Sequence, residues 1–334
     1  MGTNGHAAGW EKSIIVGADP ALHAALAELA GAARVACFAG LPGTGKSLLI
    51  HQLAHLAHQH GRTSTVLQWD TARPPFEASL AGRRYPQVEG VTHGMIRVAV
   101  GRWARHALAA WHAAHPGAEH LLIAETPLVG HRLIELARPA DDAAEPLLSD
   151  SRCRFVVPVP SRAVRRHLEA ERERRMRSPQ HDRENEDAPP HVLRDLWQQL
   201  SGVAVELGVP PGATPQVLRA GVQGAGSPVL PGAAAAGADV PYDPDIYRAV
   251  YMKVLHRRNA QAIPVDVILP SSSLSAYDFQ VPLAELLPDE ADTDRYIAEA
   301  EQAFPEGAHT AAGAAGTPAP QGRTLKHEIE RWYD

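Results

Sequence analysis

The chain has 334 residues, of which 45% are hydrophobic and 21% are charged. This composition argues against a disordered or fibrous protein, and the length allows one large domain or two smaller ones. The formal net charge of −6 gives no general attraction to nucleic acids or anionic membranes, so phosphate binding would require a local site.

Cysteine usage and apolar segments together predict a cytoplasmic protein. The two cysteines, Cys37 and Cys153, lie in apolar strand-like segments and form no CxxC pair, which favours packing roles in a reducing compartment. No apolar segment approaches the roughly 20 residues needed to span a bilayer. Residues 1–10 are polar and glycine-rich, without the hydrophobic core of a signal peptide. We therefore expect no contact with a membrane.

The first elements in chain order are a helix, a strand and a second helix. Leucines at helical spacing predict a helix within residues 13–33. The apolar residues 34–39 predict a strand, and residues 47–60 predict a helix with leucines on one face. A glycine-rich turn joins this strand to this helix.

Strands and helices continue to alternate through most of the remaining chain. The further predicted strands cover residues 63–69, 120–124, 154–159 and 263–269. The further predicted helices cover residues 92–115, 132–137 and 245–258. A loop containing Arg73, Pro74 and Pro75 is expected after the second strand. Alternation at this spacing indicates βαβ units, so we predict an α/β fold with a three-layer, doubly wound, mostly parallel sheet.

Three segments interrupt this alternation. Residues 161–187 are dense in charges of both signs, which predicts an exposed helix or a mobile helical lid. Residues 208–241 and 305–322 are rich in Gly, Pro and Ala, which predicts a long loop and a flexible linker. The expected organisation is an N-terminal helical segment at 1–33, a main domain at 34–304, the linker at 305–322 and a detached C-terminal helix at 323–334.

The turn Gly40-Leu41-Pro42-Gly43-Thr44-Gly45-Lys46-Ser47 matches the pattern G-x-x-x-x-G-K-[ST] in full. Its place between a predicted strand and a predicted helix is the context in which this pattern forms a P-loop. Backbone N–H groups and the helix dipole are then expected to hold the phosphates of ATP or GTP. Lys46 should reach the β- and γ-phosphates, and the Ser47 hydroxyl should ligate Mg²⁺. The predicted nucleotide-binding residues are Gly40, Pro42, Gly43, Thr44, Gly45, Lys46, Ser47 and Leu48.

Several classes of P-loop protein lack support in the sequence. The chain contains no Asn-Lys-x-Asp motif of GTPases and no Leu-Ser-Gly-Gly-Gln signature of ABC ATPases. It also has no apolar strand that ends in Asp-Glu, as in AAA+ proteins. These absences narrow the choice towards kinases.

The second predicted strand is followed by Asp70-Thr71-Ala72-Arg73. This Asp-x-x-Arg element after a P-loop resembles the P-loop kinases, especially the zeta-toxin and polynucleotide-kinase-like group. The resemblance covers roughly residues 34–180. It implies that Asp70 accepts the proton of the attacking hydroxyl and that Arg73 helps to hold the acceptor.

Asp70 and Glu125 also stand out without the family, because each ends a predicted strand. Ligands of doubly wound sheets bind at the carboxyl ends of the strands, which would place Asp70 beside the γ-phosphate as a general base. Its alternative role is a cap on the following loop. Glu125 could hold Mg²⁺ through a water, or it could be an N-cap or a salt-bridge partner of Arg132.

The arginine-rich segment is expected to close over ATP and to place a guanidinium near the transferred phosphoryl group. Arg162, Arg165 and Arg166 directly follow the fourth strand and should point inward, and we assign Arg162 and Arg166 to catalysis. The alternative is a solvated charged helix. The histidine pair His51 and His55 has the spacing of metal ligands, but no HExxH glutamate accompanies it, so a metal is not expected there.

Our leading hypothesis is a kinase that transfers the γ-phosphate of ATP to a hydroxyl of a small-molecule or nucleotide-like acceptor. The expected cofactors are ATP and Mg²⁺. One alternative is a regulatory ATPase or nucleotide switch that acts on a protein partner. Another is a nucleic-acid-processing kinase, against which the net negative charge argues without excluding it.

Overall fold

Six strands form one sheet in a computed structural model that describes residues 14–88, 90–179, 190–210, 240–270, 281, 283–305 and 324–334. The strands are β1 (Val35–Ala39), β2 (Thr63–Gln68), β3 (His120–Thr126), β4 (Cys153–Pro160), β5 (Ala260–Val265) and β6 (Leu283–Glu285). They are all parallel and lie in the order β5-β4-β1-β3-β2-β6.

Helices of very different length connect the strands. The first six are α1 (Pro20–Ala32), α2 (Lys46–Gln59), α3 (Trp69–Ala78), α4 (Gly94–Ala114), α5 (Ile134–Ala137) and α6 (Glu145–Ser149). The next five are α7 (Arg162–Arg177), α8 (Pro190–Glu206), α9 (Pro244–Val254), α10 (Glu290–Ala303) and α11 (Leu325–Glu330). Short 3-10 helices lie at Val16–Ala18 and Gly82–Arg84. Within the described residues, every helix is too short or too polar to cross a bilayer.

The sheet is buried on both faces, as strand β1 shows. All five of its residues are buried. Val35, Cys37 and Ala39 pack into one hydrophobic cluster with helices α4 and α9. Ala36 and Phe38 pack into a second cluster with helices α1 and α2. Because successive side chains of a strand point to opposite faces, helices cover both sides of this sheet. The predicted α/β class with a parallel sheet is therefore confirmed.

The register of the central strands brings three carboxyl ends together. Phe38 of β1 and Gln68 of β2 both align with Glu125 of β3. The segments that follow β1 and β2 therefore leave the sheet on either side of Glu125, at the edge where parallel sheets bind ligands.

Helix α3 replaces the loop that the sequence predicted after the second strand, so that prediction was wrong. The strand ends at Gln68, and Pro74 and Pro75 lie inside the helix. Trp69, Ala72 and Phe76 are buried along one helical face. Burial of this apolar face outweighs the backbone hydrogen bonds that the two prolines remove.

Other boundaries also differ from the prediction. The fifth strand covers residues 260–265 where the apolar pattern suggested 263–269, and the three-residue strand β6 was not predicted. The described part of the charged segment 161–187 contains helix α7, and residues 180–187 lie outside the described residues. Residues 211–239 of the predicted long loop and 306–322 of the predicted linker also lie outside them.

Helix α11 packs against helix α4, so the expectation of a detached C-terminal helix was wrong. Leu325, Trp332 and Tyr333 are buried in the main core. The helices approach so closely that a Cβ on Gly94 would lie 3.0 Å from Ile329. The packing of α11 against α4 is a tertiary contact. The Gly- and Ala-rich sequence before the helix therefore could not predict it.

Glu328 fastens this helix to the loop after β3. Its carboxylate pairs with the Arg138 guanidinium and lies 3.2 Å from Nε2 of His131, which is 1% exposed. Burial alone would raise the pKa of Glu328, but His131 and Arg138 lower it to about 2. The pair should therefore stabilise the fold fully above the ordinary glutamate pKa of about 4.3, and less as the pH falls towards 2.

We predict that Glu328→Gln lowers the free energy of unfolding by about 2 kcal/mol at pH 7, because it leaves Arg138 without its carboxylate. The difference from the wild type should shrink below about pH 4, as measured by urea unfolding over a pH series. Glu330→Gln is the matched control on the same helix, since Glu330 is exposed and lies 3.9 Å from Lys326. Equal losses in both variants would contradict the assigned role.

Candidate functional site

The glycine turn, residues Gly40–Gly45, connects β1 to α2. Gly43 and Gly45 have φ angles of +72° and +83°, in the left-handed region that glycine adopts without strain. Helix α2 begins directly after Gly45, which provides no side-chain cap. The first N–H groups of the helix therefore face the turn without a partner from the N-cap residue, at the positive end of the helix dipole.

The turn is braced from inside and from behind. The Thr44 hydroxyl and the Lys46 ammonium each donate a hydrogen bond of 2.9 Å to the carbonyl oxygen of Leu41. Behind the turn, a Cβ on Gly40 would lie 2.3 Å from the hydroxyl of Tyr247 in α9. Burial raises the pKa of Tyr247, so this hydroxyl stays protonated at neutral pH. The turn is therefore held in one shape by its neighbours.

Lys46 and Glu125 form a buried ion pair with 3.4 Å between Nζ and Oε1. Burial lowers the pKa of Lys46, and the charge of Glu125 opposes this shift. Nε2 of Gln68 lies 3.4 Å from the second oxygen of Glu125 and donates to it. The structure thus brings Lys46 and Glu125 to one edge of the sheet, as expected, but the partner of Glu125 is Lys46 and not Arg132.

Asp70 lies beside this pair in the first turn of α3. The residue is exposed to solvent, and neighbouring protein atoms partly desolvate its carboxyl group. Burial and the charge of Glu125 raise the pKa of Asp70, while Arg73, Lys46 and Arg132 act in the opposite direction. Asp70 therefore lies within electrostatic range of Lys46 and of two arginines.

Arg73 is one helical turn from Asp70 and is only partly neutralised. Its Nη1 lies 3.6 Å from a carboxylate oxygen of Glu77 and 3.5 Å from the Thr92 hydroxyl. Its buried Nε has no hydrogen-bond partner. This guanidinium retains capacity to bind an anion.

Arg132 belongs to a loop that the sequence could not reveal. Leu128, His131 and Leu133 have positive φ angles between 59° and 62°, and none of them is glycine. Leu128 and Arg132 pair through backbone hydrogen bonds of 2.9 and 3.2 Å. Such a backbone conformation is stable only when surrounding residues hold it. The position of Arg132 relative to Asp70 therefore depends on tertiary contacts. The sequence analysis considered Arg132 only as a partner of Glu125.

Helix α7 lies along the glycine turn. Nη1 of Arg165 donates a 2.9 Å hydrogen bond to the Pro42 carbonyl, and its Nε lies 2.6 Å from Glu169. A Cβ on Gly45 would lie 3.8 Å from Leu168. The charge of Arg172, on the same helical face, lowers the pKa of Lys46.

The other two arginines at the start of α7 lie elsewhere. Arg162 is 62% exposed and pairs with Asp243 at 2.8 Å. Arg166 is exposed. Of the three arginines expected to point inward, the structure directs Arg165 to the turn, and the contacts of Arg162 lead away from it.

The metal-binding predictions concern Ser47 and Glu125. Ser47 lies partly exposed in the first turn of α2, and Glu125 is buried in the ion pair described above. Within the described part of the chain, no group of three or more His, Cys, Asp or Glu side chains has the arrangement of a metal site.

Comparisons with known proteins give no relative from which the roles of these residues could be inferred. No protein-family model matches the chain, and no curated protein and no solved structure matches it.

We predict that Gly40→Ala lowers the free energy of unfolding by about 2 kcal/mol, because the added methyl group overlaps the Tyr247 hydroxyl. Tyr247→Phe removes that oxygen and leaves the next Tyr247 atom at an ordinary 3.6 Å. The double variant should therefore recover the part of the loss that the overlap causes, while the strain of alanine at the Gly40 φ of +158° remains, as measured by urea unfolding in a double-mutant cycle. Strictly additive losses would contradict this packing.

Proposed function

We propose that the chain is a P-loop phosphotransferase that moves the γ-phosphate of ATP to a hydroxyl group of a small acceptor. The observation that carries the proposal is the position of Lys46. Its ammonium lies between the glycine turn and Glu125, 3.4 Å from the carboxylate, with Asp70 in electrostatic range. A kinase needs these three functions at one place: a phosphate cradle, a mobile cation and a base.

The glycine turn fits a triphosphate chemically. Gly43 and Gly45 free the backbone from side chains, and the uncapped start of α2 offers N–H groups and a positive dipole end. The residues that would hold the phosphates are those predicted from the sequence, Gly40, Pro42, Gly43, Thr44, Gly45, Lys46, Ser47 and Leu48. Lys46 would exchange its contact with the Leu41 carbonyl for phosphate oxygens, which are stronger partners for an ammonium.

Mg²⁺ would be held by the Ser47 hydroxyl, with Glu125 in support. Mg²⁺ keeps several of its waters and needs few protein ligands when it binds with a nucleotide. When bound, the ion would neutralise part of the charge on the phosphates.

Asp70 would accept the proton of the acceptor hydroxyl at a carboxylate oxygen. Its position after β2 places it next to the strand that carries Glu125. Burial and the charge of Glu125 raise its pKa, which makes it a stronger base than an ordinary aspartate. Arg73, on the same face of α3, would orient the acceptor.

Helix α7 would serve as the lid that excludes water from the phosphates. Arg165 ties this helix to the turn through the Pro42 carbonyl. Arg162 and Arg166 would reach the phosphoryl group only if the helix moved, and for Arg162 this requires loss of its ion pair with Asp243. We therefore assign the main catalytic roles to Lys46 and Asp70, and only a secondary role to Arg162 and Arg166.

We predict that the wild type binds ATP in a magnesium-dependent manner and that Lys46→Ala weakens this binding about tenfold to 100-fold, because a charged hydrogen-bond donor is lost. Isothermal titration calorimetry measures the affinity. Lys326→Ala is the control, since Lys326 is 81% exposed on α11. Absence of magnesium-dependent binding of any nucleoside triphosphate would overturn the proposal.

Asp70→Asn should retain ATP affinity and lose at least about 100-fold in transfer rate, because the general base is removed. A screen of hydroxyl compounds for acceptor-dependent ADP release provides the assay. Partner-stimulated hydrolysis without an acceptor would favour the regulatory ATPase, and salt-sensitive phosphorylation of oligonucleotides would favour the nucleic-acid kinase. Full transfer activity of Asp70→Asn would refute the assigned base.

The same assay should show an acid limb in the pH profile of kcat/KM, with activity lost as the pH falls. Burial and Glu125 raise the pKa of Asp70, so the midpoint should lie above the ordinary aspartate value of about 3.9. Glu125→Gln removes one of these two causes and should shift the limb to lower pH, whatever its effect on the maximal rate. An unchanged limb in this variant would contradict the electrostatic coupling of the two carboxylates.

A further inference from the structure

Four aromatic side chains form a column beside the glycine turn. They are Trp197 of α8, Tyr242, and Tyr247 and Tyr251 of α9. Their ring centroids follow one another at 5.1, 5.9 and 4.9 Å. Tyr and Trp side chains usually find a hydrogen-bond partner when they are buried, and three of these four donate to a backbone carbonyl at 2.7 to 3.0 Å. The accepting residues are Val240 for Trp197, Pro160 for Tyr242 and Pro127 for Tyr251.

Tyr247 is the exception in this column. The residue is 0% exposed, and its hydroxyl makes no hydrogen bond within the described residues. A buried hydroxyl without a partner costs free energy, because it has lost its hydrogen bonds to water. Tyr251, one helical turn further along α9, shows that the same helix can satisfy such a group. The protein thus holds a free hydrogen-bond donor at Tyr247.

The Tyr247 hydroxyl faces the glycine turn. A Cβ on Gly40 would lie 2.3 Å from this hydroxyl and 3.2 Å from Oγ1 of Thr44. The two hydroxyl groups are therefore neighbours on the same side of Gly40. Burial raises the pKa of Tyr247, and Thr44 and the Leu41 backbone oppose this shift, as polar groups close to a phenol do. Oγ1 of Thr44 is thus an acceptor close to the free donor.

Thr44 and Lys46 share one acceptor, the carbonyl oxygen of Leu41. Each donates to it at 2.9 Å, and Leu41 is 1% exposed. The Thr44 hydroxyl gives its single hydrogen to this carbonyl, and its own oxygen can still accept one. When Lys46 moves to the phosphates, as the proposed function requires, the carbonyl loses its charged donor. Thr44 is then the side chain that holds this part of the turn.

We propose that Tyr247 positions the phosphate turn in the nucleotide-bound protein, where its hydroxyl donates a hydrogen bond to Oγ1 of Thr44. With Lys46 gone from the Leu41 carbonyl, Thr44 can move towards Tyr247 while it continues to donate to Leu41. The three groups then form a chain in which each hydrogen bond polarises the next. Tyr247 acts through the turn and does not touch the nucleotide. The inference rests on the proposed function, which supplies the departure of Lys46.

Unfolding of the nucleotide-free protein in urea provides the first test. Tyr247→Phe should not lower the urea midpoint, because the hydroxyl that it removes has no hydrogen bond. Tyr251→Phe is the matched control on the same helix and should lower the midpoint, since its hydroxyl donates to Pro127 at 3.0 Å. Lys46→Ala frees the Leu41 carbonyl, so the chain should form without nucleotide, and addition of Tyr247→Phe should then lower the midpoint.

Titration with Mg²⁺ and a non-hydrolysable ATP analogue provides the second test. Tyr247→Phe should weaken the affinity for the analogue about fivefold to tenfold, which is the effect of one lost hydrogen bond. Tyr251→Phe should leave this affinity unchanged. In the Lys46→Ala background, addition of Tyr247→Phe should have no further effect on the affinity, because the chain is then present with and without nucleotide. A merely structural tyrosine would show no such dependence on Lys46.

The proposed function and the role of Tyr247 fail in different ways. If the wild type does not bind the analogue, the proposed function is overturned, and the role of Tyr247 with it. If the wild type binds and Tyr247→Phe binds equally well, only the role of Tyr247 is refuted. A midpoint of Tyr247→Phe as low as that of Tyr251→Phe would show that the hydroxyl stabilises the empty protein and would also refute this role. An equal loss of affinity with and without Lys46 would refute the exchange at Leu41.

Discussion

The arrangement of the site depends on the buried ion pair between Lys46 and Glu125. Lys46 is the first residue of α2, and Glu125 stands near the end of β3, so the pair joins the start of a helix to the sheet. The register of β1 with β3 sets this distance, because Phe38 aligns with Glu125 and the glycine turn follows at once. A buried ammonium without an opposite charge would be costly, and the Glu125 carboxylate offsets this cost. The same ion pair holds the Lys46 ammonium beside the glycine turn.

Most other charges of the interior belong to the scaffold. Arg62 and Arg34 bind backbone carbonyls at the ends of helices and strands, including that of His120. Arg105 and Arg258 share Glu145. These guanidinium groups satisfy carbonyls that the turns leave without a partner. Against this background Arg73 differs, because its buried Nε has no hydrogen-bond partner.

The loop after β3 connects this place to distant parts of the chain. Its backbone is held by Arg97 at the Gly130 carbonyl and by the Tyr251 hydroxyl at the Pro127 carbonyl. His131 meets Glu328 of the C-terminal helix. Three residues in left-handed conformations are stable there because these contacts, made from several elements, determine the path of the loop. The position of Arg132 thus depends on residues far from it in sequence.

The amino-acid sequence by itself determined the parts of this protein that local rules govern. The glycine turn between an apolar strand and an amphipathic helix is written in consecutive residues, and the alternation of strands and helices leads to a parallel sheet with helices on both faces. The placement of Lys46 and Glu125 at one edge followed from the same rule, because Glu125 lies near the end of β3 and the turn that leads to Lys46 begins where β1 ends.

Tertiary structure alone decided the rest. Helix α3 forms despite Pro74 and Pro75 because burial of Trp69 and Phe76 in the core stabilises it. The rotation of α7 about its axis directed Arg165 to the turn and Arg162 to Asp243. The docking of α11, the three-residue strand β6 and the approach of Arg132 to Asp70 likewise depend on partners distant in the chain. Local propensity cannot encode such contacts, since their free energy arises only when the separate segments meet.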